Sequence, residues 1–308
     1  MRVCRDKGGN GLSRDIDLHM HSTASDGTDR PDELIGHVKE AGVRTFALTD
    51  HDTIRGAMEV MRLLEEGRKR GEEEPEFFRG IEFSCLTAGE HPFKCHLLGY
   101  QYDPTDEMFQ AALKLDHDRR LQKTESRLAY LKDKGYDLTQ EEVDWIHGLE
   151  SPGKPHLGHL LLKHGYAENL QAAINLVRCR EKIETRIPVR TAMEGILSSG
   201  GVPVWAHPLG GEGEKHLSQE EFERRLCYML GQGGPEPAIL GLECWYSRYD
   251  EEEIAFLLKE ADKHGLLVSG GSDYHGSRKN IAIGELNAFG RPVGHEQLSL
   301  LSELRKRK

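Results

Sequence analysis

The chain has 308 residues, of which 37% are hydrophobic and 30% charged, and its formal net charge is −11. This composition is typical of globular proteins and excludes the fibrous and disordered classes. The negative charge argues against a DNA duplex as a partner, because proteins that bind duplexes usually present a net basic face. A small anionic substrate is compatible, since cations or metal ions can dominate the charge of a single pocket.

No apolar run approaches the roughly 20 residues that cross a bilayer. The N-terminal MRVCRDKGGNGLSRD also lacks the apolar stretch of a signal peptide. We therefore expect a cytoplasmic protein with no membrane partner, and the sequence leaves the oligomeric state open. The cysteines form no CxxC pair, so we expect reduced thiols rather than disulfides or a cysteine zinc site. They are Cys4, Cys85, Cys95, Cys179, Cys227 and Cys244.

The first hundred residues alternate between predicted strands and helices. DIDLHMHS reads as a strand, and a helix is predicted from near Asp29, with Pro31 in its first turn, to Gly42. TFALTDHD is the next predicted strand, followed by a helix over residues 53–70 and by the strands FFRGIEFS and KCHLLGY. Each strand becomes polar at its end, as the strands of parallel α/β folds do.

The pattern changes at residues 104–190, which we predict to be a helical insertion or cap domain. Strands return with GVPVWAHP, GLECWY and GLLVSGGSD, and a helix is predicted over residues 251–264, ending at Gly265. Residues 14–103 and 191–290 would then form one discontinuous α/β barrel domain, with residues 291–308 as a C-terminal helix or tail. Seven parallel strands indicate a closed or nearly closed barrel, with an open doubly wound sheet as the alternative.

Metal-ligand residue types lie at five separate predicted strand ends. They are His19 with His21, His51, Glu82, His207, and Asp273 with His275. Side chains two residues apart on a strand point to the same side, so the HxH and DxH pairs can each face one point. A single surface histidine is usually structural, but two such pairs meeting where a barrel closes indicate a metal site. Oxygen and imidazole ligands without thiolate suit zinc, manganese or iron.

The motifs HMHSTASDGT, ALTDHDT, GIEFS, HLLGY, WAHP and GSDYHG occur in this order. Together they resemble the PHP (polymerase and histidinol phosphatase) domain of the amidohydrolase-like metal enzymes, over nearly all the chain outside the insertion. The resemblance implies a distorted seven-stranded (β/α)7 barrel that holds two to three divalent ions, Mn, Fe or Zn. It implies hydrolysis of a phosphate ester by a metal-bridging hydroxide, with a histidine or a metal assisting the leaving alkoxide.

The resemblance also implies a ligand set. His19, His21, Glu82 and Asp273 would hold the first ion; Glu82 would bridge to a second held by His96 and His207; Asp26, His51 and His275 would hold a third. We expect His207, His275 and Asp273 to be the catalytic residues.

Two assignments have alternatives. His91 lies near His96, although the HLLGY context favours His96. Asp50 and Asp52 flank His51, and the alternatives are that both support the ligands or that one bonds a neighbouring loop while the other is solvated.

The insertion and the segment GKPHLGHLLLKHGY resemble the branch of 3′,5′-nucleoside bisphosphate phosphatases and the 5′-to-3′ exoribonucleases called ribonuclease AM. That branch usually reads R-P-H where this chain has Lys154, Pro155 and His156. The positive charge is kept, but the bidentate fork of arginine is lost. The predicted phosphate-binding residues are Lys154, His156, Arg119, Arg120 and Arg278, with Lys279 as a further candidate. Trp245 or Tyr246 could stack a base, with core packing as the alternative for the tryptophan.

The favoured function is therefore hydrolysis of a phosphate ester on a small nucleotide. The substrate would be a 3′,5′-bisphosphate nucleotide losing its 3′-phosphate, or short 5′-phosphorylated RNA trimmed from its 5′ end. The alternatives are a histidinol phosphate phosphatase and a metal-binding regulatory module without turnover.

Overall fold

Short strands joined mostly by helices build the framework of the chain. The computed structural model describes residues 14–149, 152–212, 215–231 and 238–308. Its strands are β1 (Ile16–Asp17), β2 (Thr45–Leu48), β3 (Glu76–Leu86), β4 (Lys94–Tyr100), β5 (Ile187–Pro188), β6 (Val202–Trp205), β7 (Gly241–Tyr246) and β8 (Leu267–Gly271). The predicted N-terminal segment and Cys4 lie outside the described residues, and the five described cysteines are free thiols.

The strands form one sheet that nearly closes on itself. Their order is β1-β2-β3-β4-β6-β7-β8, and β5 pairs with β3 beside this path. The N–H of Leu18 donates to Gly270 O at 3.2 Å, and the N–H of His21 donates to Tyr274 O at 2.8 Å. These bonds join the chain around β1 to the chain around β8, so the barrel prediction is confirmed and the open doubly wound sheet is wrong.

The prediction that all seven strands are parallel is wrong at one place. β4 runs antiparallel to both of its neighbours, β3 and β6. Residues 87–93 are all that join β3 to β4, and a parallel crossover needs about a dozen residues or more. The two apolar runs therefore form a hairpin, which reverses the direction of β4.

The helices cover the outside of the sheet and fill the predicted insertion. They are α1 (Pro31–Glu40), α2 (Arg55–Lys69), α3 (Glu107–Asp133), α4 (Gln140–His147), α5 (Lys154–Lys163), α6 (Leu170–Leu176), α7 (Val189–Ser198), α8 (Gln219–Met229), α9 (Glu251–His264) and α10 (Leu300–Lys306). α9 shows why these segments are helical. A capping box between Asp250 and Glu253 starts it, and Gly265 ends it with a left-handed φ of 64°.

Helices α3 to α6 share a small hydrophobic core of their own. It includes Leu131, Ile146, Leu157, Leu161 and Ala173, and it is separate from the core around the sheet. The sequence predicted no strand within residues 104–190, but the structure has β5 there, paired with the end of β3. The division into barrel and cap domains stays a prediction, to which the separate core gives support.

The chain ends in α10, whose Leu300, Leu301 and Leu304 join the main core. Of the helices in the described ranges, none is both long and apolar enough to span a membrane.

Candidate metal centre

One carboxylate, Glu82 on β3, lies at the centre of a histidine cluster. Its Oε2 is 3.1 Å from Nε2 of His19, 3.1 Å from Nε2 of His21 and 3.2 Å from Nδ1 of His51. The Nε2 atoms of His19 and His21 are themselves 3.1 Å apart. Both histidines are fully buried, and Glu82 is 1% exposed. The HxH pair thus converges on one point, as its spacing predicts.

The other oxygen of Glu82 faces two further histidines. Oε1 is 3.0 Å from Nδ1 of His96 and 3.1 Å from Nε2 of His207, and these two ring nitrogens are 3.3 Å apart. His96 lies on β4 and His207 directly after β6. His91, the alternative to His96, is exposed in the hairpin loop, and its carbonyl accepts from Arg224. The geometry supports His96.

The DxH pair after β8 completes the cluster from the other side. Oδ1 of Asp273 is 3.3 Å from Nε2 of His21 and 3.6 Å from Nε2 of His19. Nε2 of His275 is 3.2 Å from Oδ1 of Asp26. All nine residues that the sequence suggested as metal ligands therefore lie in one cluster: His19, His21, Asp26, His51, Glu82, His96, His207, Asp273 and His275.

The backbone near the cluster is held in an unusual conformation. Asp52, His207 and Asp273 have positive φ values of 57°, 27° and 60°. Non-glycine residues rarely adopt this region, although aspartate tolerates it better than most. Such conformations persist only where the surrounding structure enforces them, and they concentrate at functional sites. Here the N–H of Asp273 donates to His19 O at 2.8 Å, which fixes the turn after β8.

The close packing of carboxylates and imidazoles shifts their pKa values strongly. Burial alone lowers the pKa of His21, but Asp273 and Glu82 outweigh it and raise this pKa to about 9. Burial likewise opposes the negative form of Glu82, but His51, His19 and His96 hold its pKa well below the usual range. Burial also keeps the pKa of His275 low. The cluster thus combines an anionic carboxylate, Glu82, with one imidazole that favours its protonated form, His21, and one that favours its neutral form, His275.

Several buried polar atoms in this cluster make ion-pair contacts but no well-aligned hydrogen bond within the described part of the chain. They are Nδ1 of His21, Nδ1 of His51 and Oδ1 of Asp26. Leaving such atoms without a hydrogen bond costs roughly 1–3 kcal/mol each. These residues belong to a group with His275 whose ligand atoms lie within 4.8 Å of one another. Imidazole nitrogens and carboxylate oxygens directed at one point match the ligand preferences of zinc, manganese and iron, so the residues fit divalent ions.

Glu243 is a site residue that the sequence reasoning missed. It lies on β7 and is fully buried. Nδ1 of His19 lies 2.9 Å from Oε1 of Glu243, and the backbone N–H of His207 donates to its Oε2 at 2.6 Å. A carboxylate on the outer nitrogen of a ligand histidine fixes its tautomer and ring orientation. A glutamate inside the apolar strand GLECWY was the signal that could have identified it.

Two further side chains hold Asp273. Tyr246 donates its hydroxyl proton to Oδ2 of Asp273 at 2.9 Å, and Nζ of Lys279 donates to the same oxygen at 2.7 Å. These contacts leave Oδ1 facing the histidines. Lys279 is thus engaged at the cluster, and both Tyr246 and Trp245 are buried rather than placed to stack a base.

The alternative in which one aspartate beside His51 is solvated is wrong. Asp50 is 1% exposed and accepts from the N–H and hydroxyl of Ser22 at 2.7 and 2.8 Å. Asp52 is 5% exposed and accepts from the N–H and hydroxyl of Ser84 at 2.6 and 2.8 Å. Each therefore bonds a neighbouring segment of the barrel.

A cleft of about 240 Å³ opens beside Asp26 at one end of the cluster. We call it cleft A. Its lining is strongly basic and includes Arg120, Lys123, Arg127, Lys154 and Arg278. Arg278 donates to the carbonyl of Asp26 at 2.9 Å and is ion-paired with the Asp26 carboxylate, which ties this arginine to the ligand loop. Lys154 and Arg278, both predicted to bind phosphate, thus meet at one cleft.

The other predicted phosphate-binding residues have different surroundings. Arg120 is paired with Asp52 and with Asp116, the latter at 2.6 Å, so its charge is largely satisfied. Arg119 donates to the carbonyl of Arg186. His156 lines a separate cleft with Trp145, whose ring centroid is 6.0 Å away. Burial lowers the pKa of His156, which favours its neutral form.

Comparisons with known proteins agree with this geometry. The family model described as the PHP domain matches residues 17–183. The chain is 28% identical to a 3′,5′-nucleoside bisphosphate phosphatase of Chromobacterium violaceum, over 92% of this chain and 91% of the relative. It is 27% identical to a 5′-3′ exoribonuclease of Haemophilus influenzae, over 86% and 91%. A crystal structure of a candidate metal-dependent phosphoesterase from Bifidobacterium adolescentis superposes with a TM-score of 0.69 at 27% identity, covering 95% of this chain and 96% of the other.

Proposed function

The chain belongs to the PHP domain family and is a metal-dependent phosphoesterase, and from this premise we propose that it hydrolyses a phosphate ester of a small nucleotide. The substrate is a 3′,5′-bisphosphate nucleotide that loses its 3′-phosphate, or short 5′-phosphorylated RNA that is trimmed from its 5′ end. The observation that carries this proposal is the basic cleft A directly beside the ligand cluster. A substrate with one phosphate at the cluster and a second a short distance away fits that arrangement.

The proposed ligand set has three positions around Glu82. His19, His21, Glu82 and Asp273 form the first, Glu82, His96 and His207 the second, and Asp26, His51 and His275 the third. When bound, two to three divalent ions (Mn, Fe or Zn) would lower the pKa of a water to make it a nucleophile at neutral pH and would neutralise the phosphate oxygens. His207, His275 and Asp273 contribute to catalysis by shaping these positions.

The exposure of the ligands defines the side from which substrate approaches. The side chains of Asp26, His51 and His96 are 30%, 20% and 29% exposed, whereas His19 and Glu82 are buried. A phosphate therefore meets the cluster at the Asp26, His51 and His96 edge. Lys154 and Arg278 then lie on one side of it and can hold a second phosphate by charge.

A comparison of substrates tests this function. Protein loaded with manganese is incubated in parallel with a 3′,5′-bisphosphate nucleotide, a short 5′-phosphorylated RNA and histidinol phosphate, and released phosphate and nucleotide are measured. We expect turnover of one or both nucleotide substrates and a much lower kcat/KM for histidinol phosphate, which has no second phosphate for cleft A. Preferential hydrolysis of histidinol phosphate would contradict the proposal and favour that alternative.

The hairpin between β3 and β4 offers a matched pair of variants. His96→Ala removes a proposed ligand whose side chain is 29% exposed, and His91→Ala removes an exposed histidine from the adjacent loop. We expect the first to lower kcat at least about 100-fold, because loss of a ligand disrupts the ion that activates water, and the second to retain activity. Equal activities of the two variants would reject His96 as a ligand.

A further inference from the structure

A second basic cleft opens at the opposite end of the ligand cluster. This cleft, which we call cleft B, has a volume of about 90 Å³ and reaches the cluster at His96 and His207. Its cationic lining residues are Lys94, Arg186, Lys215 and Arg225, and none of its described lining residues is acidic. Four cations gathered at one small cleft are unexpected in a chain whose net charge is −11. The predicted phosphate-binding residues do not include any of them.

The cations of cleft B are arranged so that part of their hydrogen-bonding capacity is unused. Nη1 of Arg186 donates to Glu184 at 3.2 Å, whereas its buried Nε has no hydrogen-bond partner among the described residues. Arg225 stacks on Phe93, with its guanidinium carbon 4.8 Å from the ring centroid, and its Nε donates to Glu221 at 2.7 Å. Lys94 and Lys215 are exposed at the mouth of the cleft. Two guanidinium groups held in place by glutamates and two exposed ammonium groups provide the charge and the donors that an anion site needs.

The size of cleft B restricts the anion. A volume of about 90 Å³ corresponds to roughly three water molecules, which matches the size of a phosphate group. His96 and His207 line the cleft and also contact Oε1 of Glu82 at 3.0 and 3.1 Å. A phosphate held by the cations of cleft B would therefore lie next to the reacting position, with His96 and His207 between them.

We propose that cleft B binds the phosphate on the 3′ side of the reacting ester, so that the preferred substrate is an oligonucleotide with at least three phosphates. This inference rests on the proposed function and extends it. The 5′-terminal phosphate occupies cleft A, the first phosphodiester lies at the ligand cluster, and the second phosphodiester occupies cleft B. A bisphosphate mononucleotide fills only the first two positions, whereas a trinucleotide with a 5′-phosphate fills all three.

The test compares two substrates that differ by one phosphate and its nucleoside. A 5′-phosphorylated dinucleotide and the corresponding trinucleotide are hydrolysed by the wild type, by the double variant Lys94→Ala/Lys215→Ala, and by the control Lys259→Ala on the exposed face of α9. We expect kcat/KM of the wild type and the control to rise roughly 5- to 20-fold from dinucleotide to trinucleotide. In the double variant this gain should fall below about 2-fold.

Binding gives a second measurement that does not depend on turnover. A trinucleotide with a non-hydrolysable first linkage is titrated into the metal-loaded protein at several salt concentrations. Each phosphate contact in a single strand contributes about 0.7 to the slope of log Kd against log salt. The double variant should therefore show a slope lower by about 0.7 than the wild type, and the Lys259→Ala control should not.

The outcomes separate this inference from the function on which it rests. Hydrolysis of the dinucleotide without any gain for the trinucleotide, or a gain that the double variant keeps, would overturn the role of cleft B while leaving the nucleotide phosphoesterase intact. A missing gain together with weaker inhibition by inorganic phosphate in the variant would show that cleft B holds the free ion instead. If no nucleotide substrate is hydrolysed, both proposals fail.

Discussion

Glu243 contacts two proposed ligands without itself being one. It bonds the outer ring nitrogen of His19 and accepts from the backbone N–H of His207. Glu243→Gln keeps the shape of this side chain but removes its charge. We expect the apparent metal affinity to fall about 10- to 100-fold, because outer carboxylates orient ligand histidines and raise their basicity. Activity measured against manganese concentration should shift accordingly, with most of kcat recovered at saturating metal.

Glu252→Gln is the matched control for Glu243→Gln, because Glu252 is an exposed glutamate in the first turn of α9. Its metal requirement should equal that of the wild type. An unchanged metal requirement in Glu243→Gln would mean that the buried carboxylate serves only the packing of β7.

Lys154 stands where the resemblance to the nucleotide-acting branch implies an arginine, and it lines cleft A. Lys154→Arg should lower KM for a 3′,5′-bisphosphate nucleotide and leave kcat nearly unchanged. The planar guanidinium can grip phosphate through two hydrogen bonds, and a remote phosphate is held equally in the ground and transition states. Steady-state kinetics on this variant and on Lys154→Ala measure kcat and KM separately and so test this expectation. A fall in kcat with constant KM would place Lys154 at the reacting phosphate instead.

The residue types of the cluster could be predicted from sequence because short motifs carry them. HMHS and SDYH contain pairs of ligands two residues apart, and the order of the motifs along the chain resembles that of the PHP barrel. The partners of Asp52 and Glu243 could not be predicted in the same way. Arg120 lies on α3, far along the chain from Asp52, and only the folded helix brings the two together. Cleft B has the same origin, since Lys94 and Arg186 lie far along the chain from each other and from the pair Lys215 and Arg225.

At the level of elements, the β3–β4 hairpin is the main departure from the expected pattern. Apolar runs with polar ends predict strands, but they do not give strand direction, which depends on the length of the connection. The antiparallel register places Ser84 opposite His96 and Leu98 opposite Glu82. His96 therefore lies two register pairs from Glu82, on the same face of the hairpin, and approaches Glu82 from the adjacent strand. The prediction of His96 as a ligand did not require the direction of β4.

Closure of the barrel depends on a close approach between β8 and the chain after β1. A Cβ added at Gly271 would lie 2.1 Å from Cβ of His19 and 2.5 Å from its backbone nitrogen. Gly271→Ala should therefore separate the two segments and destabilise the fold by about 3 kcal/mol, since overpacked cores cannot relax without moving backbone. The free energy of unfolding in urea measures the effect.

Gly36→Ala gives the contrast for Gly271→Ala, because a Cβ at Gly36 in α1 meets nothing within 4 Å. Alanine is the better helix former, so this change should be neutral or stabilise the protein by up to about 1 kcal/mol. Equal free energies of unfolding for the two variants would show that the barrel tolerates separation of β8 from the chain after β1.

At the scale of the whole molecule, the cluster draws its ligands from six strands or the turns that follow them, so metal binding and stability should be linked. Ions that bind the native state but not the unfolded chain stabilise by about 2.7 kcal/mol at 100 times Kd. Removal of metal with a chelator should lower Tm by about 5 °C or more, and adding manganese back should restore it. Metal analysis of the untreated protein should give more than one equivalent. A metal-free protein with full activity and unchanged Tm would contradict the ligand set.

Glu82 divides its two oxygens between two groups of histidines, with His19, His21 and His51 on one side and His96 and His207 on the other. Under the proposed ligand set, the first ion to arrive orients this carboxylate for the second, so the two uptake steps are coupled in free energy. Activity should then rise sigmoidally with free metal concentration, and half-loaded protein should be scarce. An enzyme with this coupling would respond to metal supply more steeply than one with independent sites, with a Hill coefficient between about 1 and 2.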